Sequence, residues 1–260
     1  MNLLVLMRMV PDVVEELEIA PDGKSLDREA LRLIASESDD HALEEALLLK
    51  ERYGGKVTVV VPDAPEVGDL LYTAAAKGAD RVIRLRGIKT GLGVAALARS
   101  CAAALQATPG LLPVNLILTG TQAIEDLDGL VAPLVAHHLG LPYIGVVTAV
   151  TEIADGKASV VKEFQAGYRG EFQIALPAVL GVQSAEKPPR YVPVAKVRAA
   201  MKSVKIEECE VPQPTPAALE GIEVLAMSKP EVAGRAAMLE GSPEEVAGKL
   251  CDLLAERGLL

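Results

Sequence analysis

Aromatic residues are scarce in this sequence, and their scarcity narrows the ligands that it can bind. The 260 residues include no tryptophan, two phenylalanines and five tyrosines, so few rings are available to stack on bases. The formal net charge of -10 also opposes contact with a phosphate backbone. We therefore expect no nucleic-acid partner, and we expect any bound nucleotide to be held mainly by backbone and aliphatic groups.

Cysteines and long apolar runs are scarce as well. Cys101, Cys209 and Cys251 have spacings that match neither a zinc site nor a disulfide framework, which favours a reducing compartment. The apolar stretch at residues 3–7 is too short for a signal-peptide core or a membrane span. We expect a cytoplasmic protein without membrane insertion.

The sequence also lacks a recognisable catalytic signature. His41, His137 and His138 have no spacing typical of a nucleophile or metal site, so surface or helix-end positions are favoured over catalytic ones. Glu44 and Glu45 are interpreted as the solvated face of a helix. We predict neither catalytic residues nor metal ligands.

Short aliphatic runs alternate with helical patterns through the first half of the chain. Several of these runs are apolar without a break, as is typical of strands covered on both faces. The segments between them carry apolar residues at helical spacing. This alternation predicts a doubly wound α/β fold with a mostly parallel sheet. The predicted strands are 3–7, 56–61, 81–85 and 114–118, and the predicted helices are 39–52, 66–77 and 91–107.

The pattern changes from about residue 143 onward. Asp155 and Gly156 lie between β-rich arms and predict a hairpin turn, and residues 170–182 predict further strand. Prolines at 188–193 and 211–216 indicate extended chain rather than core. A short helix is predicted near 194–202, between the two proline-rich stretches.

The clearest local signal predicts a helix over 243–257. Ser242 can cap this helix, Pro243 suits its first position, Glu245 completes a capping box and Gly258 follows its end. The predicted organisation is a nucleotide-binding α/β domain at 1–186, followed by an extended arm and docking helix at 187–260.

The most informative loop is "ILTGTQAIEDLDGLV", residues 117–131. It follows a predicted parallel strand, at the end of the sheet where open α/β folds bind ligands. Gly120 permits close backbone approach, and the amides of 121–129 can face an anion at the start of a helix. The acids Glu125, Asp126 and Asp128 also suit a plain loop before a helix. The residues alone leave both interpretations open.

Five motifs in order resemble the β subunit of electron transfer flavoproteins over nearly the whole chain. The resemblance implies an adenine nucleotide alpha hydrolase-like fold and a heterodimer with an α subunit. It also implies an FAD held mainly by the α subunit and an AMP in the β subunit, which a second FAD replaces in the electron-bifurcating branch. The motifs are "LMRMVPD" (6–12), "DHALEEALLLKE" (40–51), "KGADRVIRL" (77–85), "GTQAIEDLDG" (120–129) and "PPRYVPVAKV" (188–197).

The resemblance also implies a nucleotide pocket built from loops at the carboxyl ends of neighbouring strands. The family's Asn-Pro-Phe-Asp type of loop is here Ser36-Glu37-Ser38-Asp39, so Ser38 replaces an aromatic residue that approaches the flavin. AMP, a second FAD and an empty pocket all remain open. The implied pocket residues are Leu6, Ser36, Glu37, Ser38, Asp39, Pro62, Gly120, Thr121, Gln122, Ala123, Ile124, Asp126, Asp128, Gly129, Leu130 and Val131.

The arm at 188–203 resembles the segment that recognises partner dehydrogenases, with Arg190, Tyr191 and Val194 as the implied contacts. The implied function is electron transfer through FAD from dehydrogenases of the acyl-CoA type towards a quinone-linked acceptor, without bond-making chemistry by this subunit. Two alternatives are a stand-alone, ATP-binding protein of the universal-stress type and a scaffold subunit that has lost its nucleotide. The 187–260 tail favours the subunit interpretation, since a self-sufficient domain has no need of it.

Overall fold

The computed structural model describes residues 1–29, 31–88, 92–126, 128–211, 224–230 and 236–260. The chain divides into two compact units, Met1–Leu225 and Ala226–Leu260. Among the described helices, none is both long enough and apolar enough to cross a membrane.

The first unit alternates strands and helices as predicted. Its strands are β1 (Asn2–Leu6), β2 (Met9–Pro11), β3 (Leu33–Ala35), β4 (Lys56–Pro62), β5 (Arg81–Arg86), β6 (Leu116–Gly120), β7 (Tyr143–Ala154), β8 (Lys157–Glu163), β9 (Arg169–Ala175), β10 (Ala178–Val182) and β11 (Glu207–Glu210). Its helices are α1 (Glu37–Tyr53), α2 (Val67–Lys77), α3 (Val94–Ala107), α4 (Val131–Leu139) and α5 (Val194–Ser203), and α6 (Pro243–Glu256) belongs to the second unit.

Nine strands form one sheet in the order β11-β5-β4-β1-β6-β10-β7-β8-β9. Every pair from β11 to β7 is parallel, and β8 and β9 extend the sheet as an antiparallel ribbon. The late strand β10 therefore lies between two strands that precede it in the chain. Strands β2 and β3 pair separately as a short antiparallel ribbon. The predicted α/β class with a mostly parallel sheet is confirmed.

Side chains of β1 alternate between two cores, which explains its unbroken apolar sequence. Leu3 and Val5 join the cluster that contains Leu43 of α1 and Leu71 of α2. Leu4 and Leu6 join the opposite cluster, which contains Leu105 of α3 and Val135 of α4. A strand covered on both faces has no solvated side and needs no polar alternation.

Several predicted boundaries agree closely with the structure. The hairpin between β7 and β8 turns at Asp155 and Gly156, and α5 occupies the position predicted for a short helix. Helix α6 has the predicted capping box, in which Ser242 accepts from the backbone of Glu245, with proline at its start. The predicted start of the third helix at residue 91, and the proline-rich residues 212–216, lie outside the described residues.

The predicted extended arm is more structured than its prolines indicate. Strand β11 pairs in parallel with β5, from Glu207 opposite Ile83 to Glu210 opposite Arg86. Val204 and Ile206 pack against the cluster that contains α1 and α2. Residues 187–211 therefore run across the α/β body and complete one edge of its sheet. The boundary at 186 and 187 stays a prediction.

Candidate functional site

Three predicted ligand loops converge at one end of the sheet. Strand β1 lies between β4 and β6, all three parallel, so the residues that follow them emerge at the same edge. Leu6 ends β1 and is fully buried, Pro62 ends β4, and Gly120 ends β6. Helix α1 begins beside them, with Ser36 at its N-cap. The structure thus brings the predicted segments to one region.

An ion triad organises this region, and its central residue is Arg8, for which no role was predicted. Arg8 is 3 % exposed. Its Nε donates to Asp39 Oδ2 over 3.1 Å and its Nη1 donates to Asp126 Oδ2 over 3.0 Å. Burial alone lowers the pKa of Arg8, but the charges of Asp39 and Asp126 and their hydrogen bonds outweigh burial and raise it.

Asp39 joins the ends of β1 and β6 to the start of α1 through one carboxylate. It is fully buried, and beyond the Arg8 side chain it accepts from the backbone amides of Arg8 (2.9 Å) and Gly120 (2.6 Å). The hydroxyl of Thr119 donates to it over 3.2 Å. A buried carboxylate needs such donors to offset its lost hydration. Asp39 therefore fixes the start of α1 against the ends of β1 and β6.

Two glycines of the acidic loop (residues 120–131) are required by packing within the protein. A Cβ atom at Gly120 would collide with the side chains of Ser38 and Asp39, and the Ser38 hydroxyl donates to the carbonyl of Gln122. Gly129 has φ +64°, and a Cβ there would approach the Thr121 carbonyl to 2.8 Å. The close approach expected at Gly120 is thus made by the first turn of α1.

Several amides of the acidic loop bond within the protein. Thr121 donates to the carbonyl of Val182 over 2.9 Å, and Gly129 donates to that of Asp126 over 3.1 Å. The amide of Asp126 donates to the carbonyl of Ala123 over 3.0 Å. The Asp126 carboxylate accepts from the amide of Leu130 over 3.3 Å, just before α4. Asp126 therefore points inward to Arg8 and α4, whereas Asp128 is exposed.

A groove of about 390 Å³ opens beside the triad, between the β2–β3 ribbon, the first turns of α1 and the acidic loop. Small-molecule sites typically occupy about 300–1,000 Å³. Six of the predicted pocket residues line the groove, namely Ser36, Glu37, Ser38, Gln122, Ala123 and Ile124. Its other lining residues were not predicted: Val10, Pro11, Val13, Ile34, Ala35, His41 and Gln183.

The remaining predicted pocket residues do not line this groove. Leu6, Asp39, Gly120 and Val131 lie in the interior that supports it, where each is almost fully buried. The others in this set are Pro62, Thr121, Asp126, Asp128, Gly129 and Leu130. The predicted set therefore mixes residues of the groove wall with buried residues behind it.

His41 gives the groove a polar group of defined orientation. Its Nδ1 accepts a hydrogen bond from the amide of Ala185 over 3.2 Å. Since Nδ1 is the acceptor, the ring proton lies on Nε2. His41 was interpreted as an ordinary surface or helix-end residue. Its position three residues after Ser38, about one helical turn, was the available signal that the two share a surface.

Glu44 and Glu45 are not the solvated face that the sequence indicated. They are 3 % and 1 % exposed, because the chain after β10 crosses α1 at this point. Burial raises the pKa of Glu45, although the amides of Glu186 and Val150 donate to it. Burial acts in the same direction on Glu44, but hydrogen bonds from Arg190 outweigh it and lower the pKa of Glu44.

The predicted partner contacts lie away from the groove lining and differ in exposure. Tyr191 is 84 % exposed and Val194 is 61 % exposed. Arg190 instead forms ion pairs with Glu44 (2.8 Å) and Glu51 (2.7 Å) on α1.

Within the described part of the chain, no cluster of His, Cys, Asp or Glu has the arrangement of a metal site. Cys101, Cys209 and Cys251 are free thiols. Burial raises the pKa of Cys101 to about 12, so this thiol is unreactive at neutral pH. The fold and the site together define a doubly wound α/β protein with a groove at the carboxyl end of its sheet.

Comparisons with known proteins identify the family. The family model described as the electron transfer flavoprotein domain matches residues 24–214. The chain is 32 % identical to the electron transfer flavoprotein subunit beta of Clostridium acetobutylicum, covering 98 % of both chains. It is 33 % identical to that of Syntrophomonas wolfei, covering 97 % of this chain and 95 % of the relative. The chain therefore belongs to the electron transfer flavoprotein family, and its full-length similarity is to the beta subunits.

Proposed function

We propose that this chain is the β subunit of a heterodimer that carries electrons through FAD from dehydrogenases to a quinone-linked acceptor. An electron-transfer role follows from the family, and the similarity over nearly the full length of beta subunits supports the heterodimer with an α subunit. Donors of the acyl-CoA dehydrogenase type, a cytoplasmic location and the absence of bond-making chemistry by this chain are parts of the same proposal.

The observation that carries the proposal is the groove beside the triad. It combines apolar walls from Val10, Val13 and Ile34 with polar groups from Ser36, Ser38, His41, Gln122 and Gln183. This combination fits a flat ring system that has a polar edge. When bound, FAD supplies the redox chemistry. Ser36, Ser38, His41, Gln122 and Gln183 would offer polar groups to the bound flavin, and the Ala185 amide would keep the His41 proton on Nε2.

We further propose that AMP occupies the β subunit, with its phosphate near the exposed part of the acidic loop. The triad supports this role because Arg8, Asp39 and Asp126 hold that loop in place through contacts between protein groups. The binding set is the one implied by the family, from Leu6 to Val131. A second FAD in place of AMP is the bifurcating alternative.

One experiment tests the cofactor proposal directly. The chain is co-expressed with the α subunit, the complex is purified and denatured, and the released nucleotides are identified. One FAD and one AMP per heterodimer is the expected result. Two FAD would replace the AMP proposal with the bifurcating one, and FAD alone would contradict AMP binding. A stable lone chain that binds ATP and ignores the α subunit would contradict the whole assignment.

A matched pair of histidine variants tests the groove. His41→Ala removes the ring that lines the groove, and His137→Ala removes an exposed ring on α4. The purified H41A heterodimer is expected to have a changed flavin absorption spectrum and to lose FAD faster on dilution, with the H137A complex unchanged. Identical flavin spectra and identical FAD retention in both variants would show that the groove does not bind the flavin.

Helix α6 is proposed to pack on the α subunit. Leu250 and Leu253 are 50 % and 41 % exposed within α6, and exposed apolar side chains on one helix favour a protein partner. Deleting 226–260 is the informative truncation, because a cut at 209 would remove half of β11. The deletion is expected to weaken the heterodimer while the thermal stability of the α/β unit is retained. Unchanged affinity for the α subunit would contradict this role.

A further inference from the structure

The chain between β10 and α5 is fastened to α1 by side chains at almost every turn of the helix. We define this crossing segment as residues 183–193. Three of its backbone amides donate to side-chain acceptors on α1, and one side-chain pair joins the two as well. The contacts are Ala185 N to His41 Nδ1 (3.2 Å), Glu186 N to Glu45 Oε2 (3.0 Å), Arg52 Nη2 to Glu186 Oε2 (2.8 Å) and Arg190 N to Glu44 Oε2 (2.9 Å).

Arg190 makes the most extensive of these contacts. Its Nη2 donates to Glu44 Oε1 over 2.8 Å and its Nε donates to Glu44 Oε2 over 2.9 Å. Its Nη1 donates to Glu51 Oε1 over 2.7 Å, about two helical turns further along α1. The planar, forked guanidinium can bind two carboxylates at once, which a lysine ammonium cannot reproduce. Arg190 therefore fixes both the position and the direction of the chain at this point.

Two exposed side chains follow Arg190, namely Tyr191 within the crossing segment and Val194 at the start of α5. Tyr191 is 84 % exposed and Val194 is 61 % exposed, although Arg190 is anchored to nearly buried Glu44. Prolines at 188, 189 and 193 restrict the backbone on both sides of the anchor. Two exposed side chains are thus carried on a short, restricted backbone with a fixed attachment.

We infer that Arg190 is a positioning residue for partner recognition, which holds Tyr191 and Val194 in their binding arrangement through Glu44 and Glu51. Arg190 itself then contributes no contact to the partner, because its side chain is already engaged on α1. This inference rests on the proposed function, in the form of the dehydrogenase contact that the family resemblance implies for Tyr191 and Val194. Presenting side chains in their bound arrangement raises affinity by lowering the ordering cost of association.

The test uses the heterodimer with its α subunit and a purified acyl-CoA dehydrogenase as the electron donor. The variants are Arg190→Gln, Arg190→Lys and, as a matched control, Arg81→Gln. Arg81 forms an equally close two-bond pair with Glu207, both distances being 2.7 Å, but this pair holds β11. Flavin reduction is followed against heterodimer concentration, and hydrogen exchange is measured for the crossing segment.

The expected result for R190Q is a rise of about tenfold in the half-saturating concentration, since the segment must be ordered again on binding. The rate at saturation should not change, because FAD is untouched. R190K is expected to raise the half-saturating concentration about threefold, since it keeps the charge but loses the fork. Exchange should increase in residues 187–194 of both variants, and R81Q should leave the half-saturating concentration and this exchange unchanged.

Variants Tyr191→Ala and Val194→Ala separate failure of the inference from failure of the proposed function. If these two raise the half-saturating concentration while R190Q and R190K do not, the positioning role of Arg190 is overturned and the partner surface remains. If neither Y191A nor V194A has an effect, the proposed partner surface and the inference both fall. A fall in the saturated rate of R190Q, matched by R81Q, would also overturn a positioning role.

Discussion

Helix α1 is held by carboxylates in two places, and the two differ in what surrounds them. At its start, the buried Asp39 binds Arg8 and the ends of β1 and β6. Two turns later, Glu44 and Glu45 bind the crossing segment at the surface of the protein. The first network is enclosed by the sheet, whereas the second is bounded on one side by Arg190, whose side chain is 31 % exposed. Similar acids on one helix thus fasten the acidic loop at one end and the crossing segment further along.

The largest effect is expected when the enclosed network is broken. Asp39→Ala leaves the Arg8 guanidinium and the Gly120 amide without their shared acceptor. Removing one partner of a buried ion pair costs about 3–5 kcal/mol. The measurement is the free energy of unfolding by urea, with Asp40→Ala as the control.

Asp40 pairs with Lys77, and their side chains are 30 % and 8 % exposed. Its loss should cost about 1–3 kcal/mol, less than that of the fully buried Asp39, because solvent reaches the carboxylate but scarcely the ammonium. Equal losses in the two aspartate variants would show that burial does not separate the two environments.

Gly120→Ala should destabilise the same region by overpacking it, without removing a charge. The added methyl would meet Ser38 and Asp39, and overpacking of this kind costs about 1–3 kcal/mol. Gly93→Ala is the control, because its φ is -59° and a Cβ atom there meets nothing within 4 Å. Both are measured by urea unfolding without added nucleotide. If G120A matches G93A, Gly120 serves a ligand rather than the start of α1.

The contributions of Glu44 and Glu45 to folding stability should change with pH in opposite directions. The pKa of Glu44 is lowered, so its stabilising contribution is present above its unfolded-state pKa and is lost as pH falls through the folded-state pKa. The pKa of Glu45 is raised, so its contribution is complete below its unfolded-state pKa and is lost as pH rises through the folded-state pKa.

The cost of Glu44→Gln should therefore shrink on acidification, whereas that of Glu45→Gln should grow. Urea unfolding at several values between about pH 7 and pH 4 checks the two slopes. Parallel slopes would mean that Arg190 does not set the ionisation of Glu44.

The smallest effect is expected at the exposed margin of the crossing segment. Arg52 pairs with Glu186, and their side chains are 38 % and 26 % exposed. Arg52→Gln should cost about 0.2–1 kcal/mol, because solvent screens such pairs. Thermal unfolding with and without added salt checks this, and salt should reduce the difference from wild type. A loss of stability of several kcal/mol that does not depend on salt would show that Arg52 is as well shielded from solvent as the network of Asp39 and Arg8.

Short stretches of the sequence were sufficient to predict much of the fold. Unbroken aliphatic runs located β1, β4 and β6, and the Ser242 cap located α6, because these features depend on neighbouring residues. Strand β11 was missed since its pairing with β5 joins residues more than a hundred positions apart. Its sequence, Glu-Glu-Cys-Glu, is that of an exposed edge rather than of a core strand.

The sequence predicted which loops meet at this end of the sheet, but not the contacts among them. Arg8 was visible in a family motif, but its two partners lie 31 and 118 residues away and no local pattern pairs them. Helical periodicity separated the apolar face of α1 correctly, yet it carries no information about what crosses the polar face. For that reason Glu44 and Glu45 were placed in solvent, and His41 was not assigned to the groove.

Strand β10 links two parts of the nine-stranded sheet. Strands β7, β8 and β9 are made before β10, but β7 reaches the rest of the sheet only through β10. Without Ala178–Val182, no described strand joins β7 to β6, so the β7–β9 ribbon and the strands around β1 share no strand pairing. These five residues pair with both β6 and β7, and they therefore cover one edge of each strand that would otherwise have unpaired backbone groups.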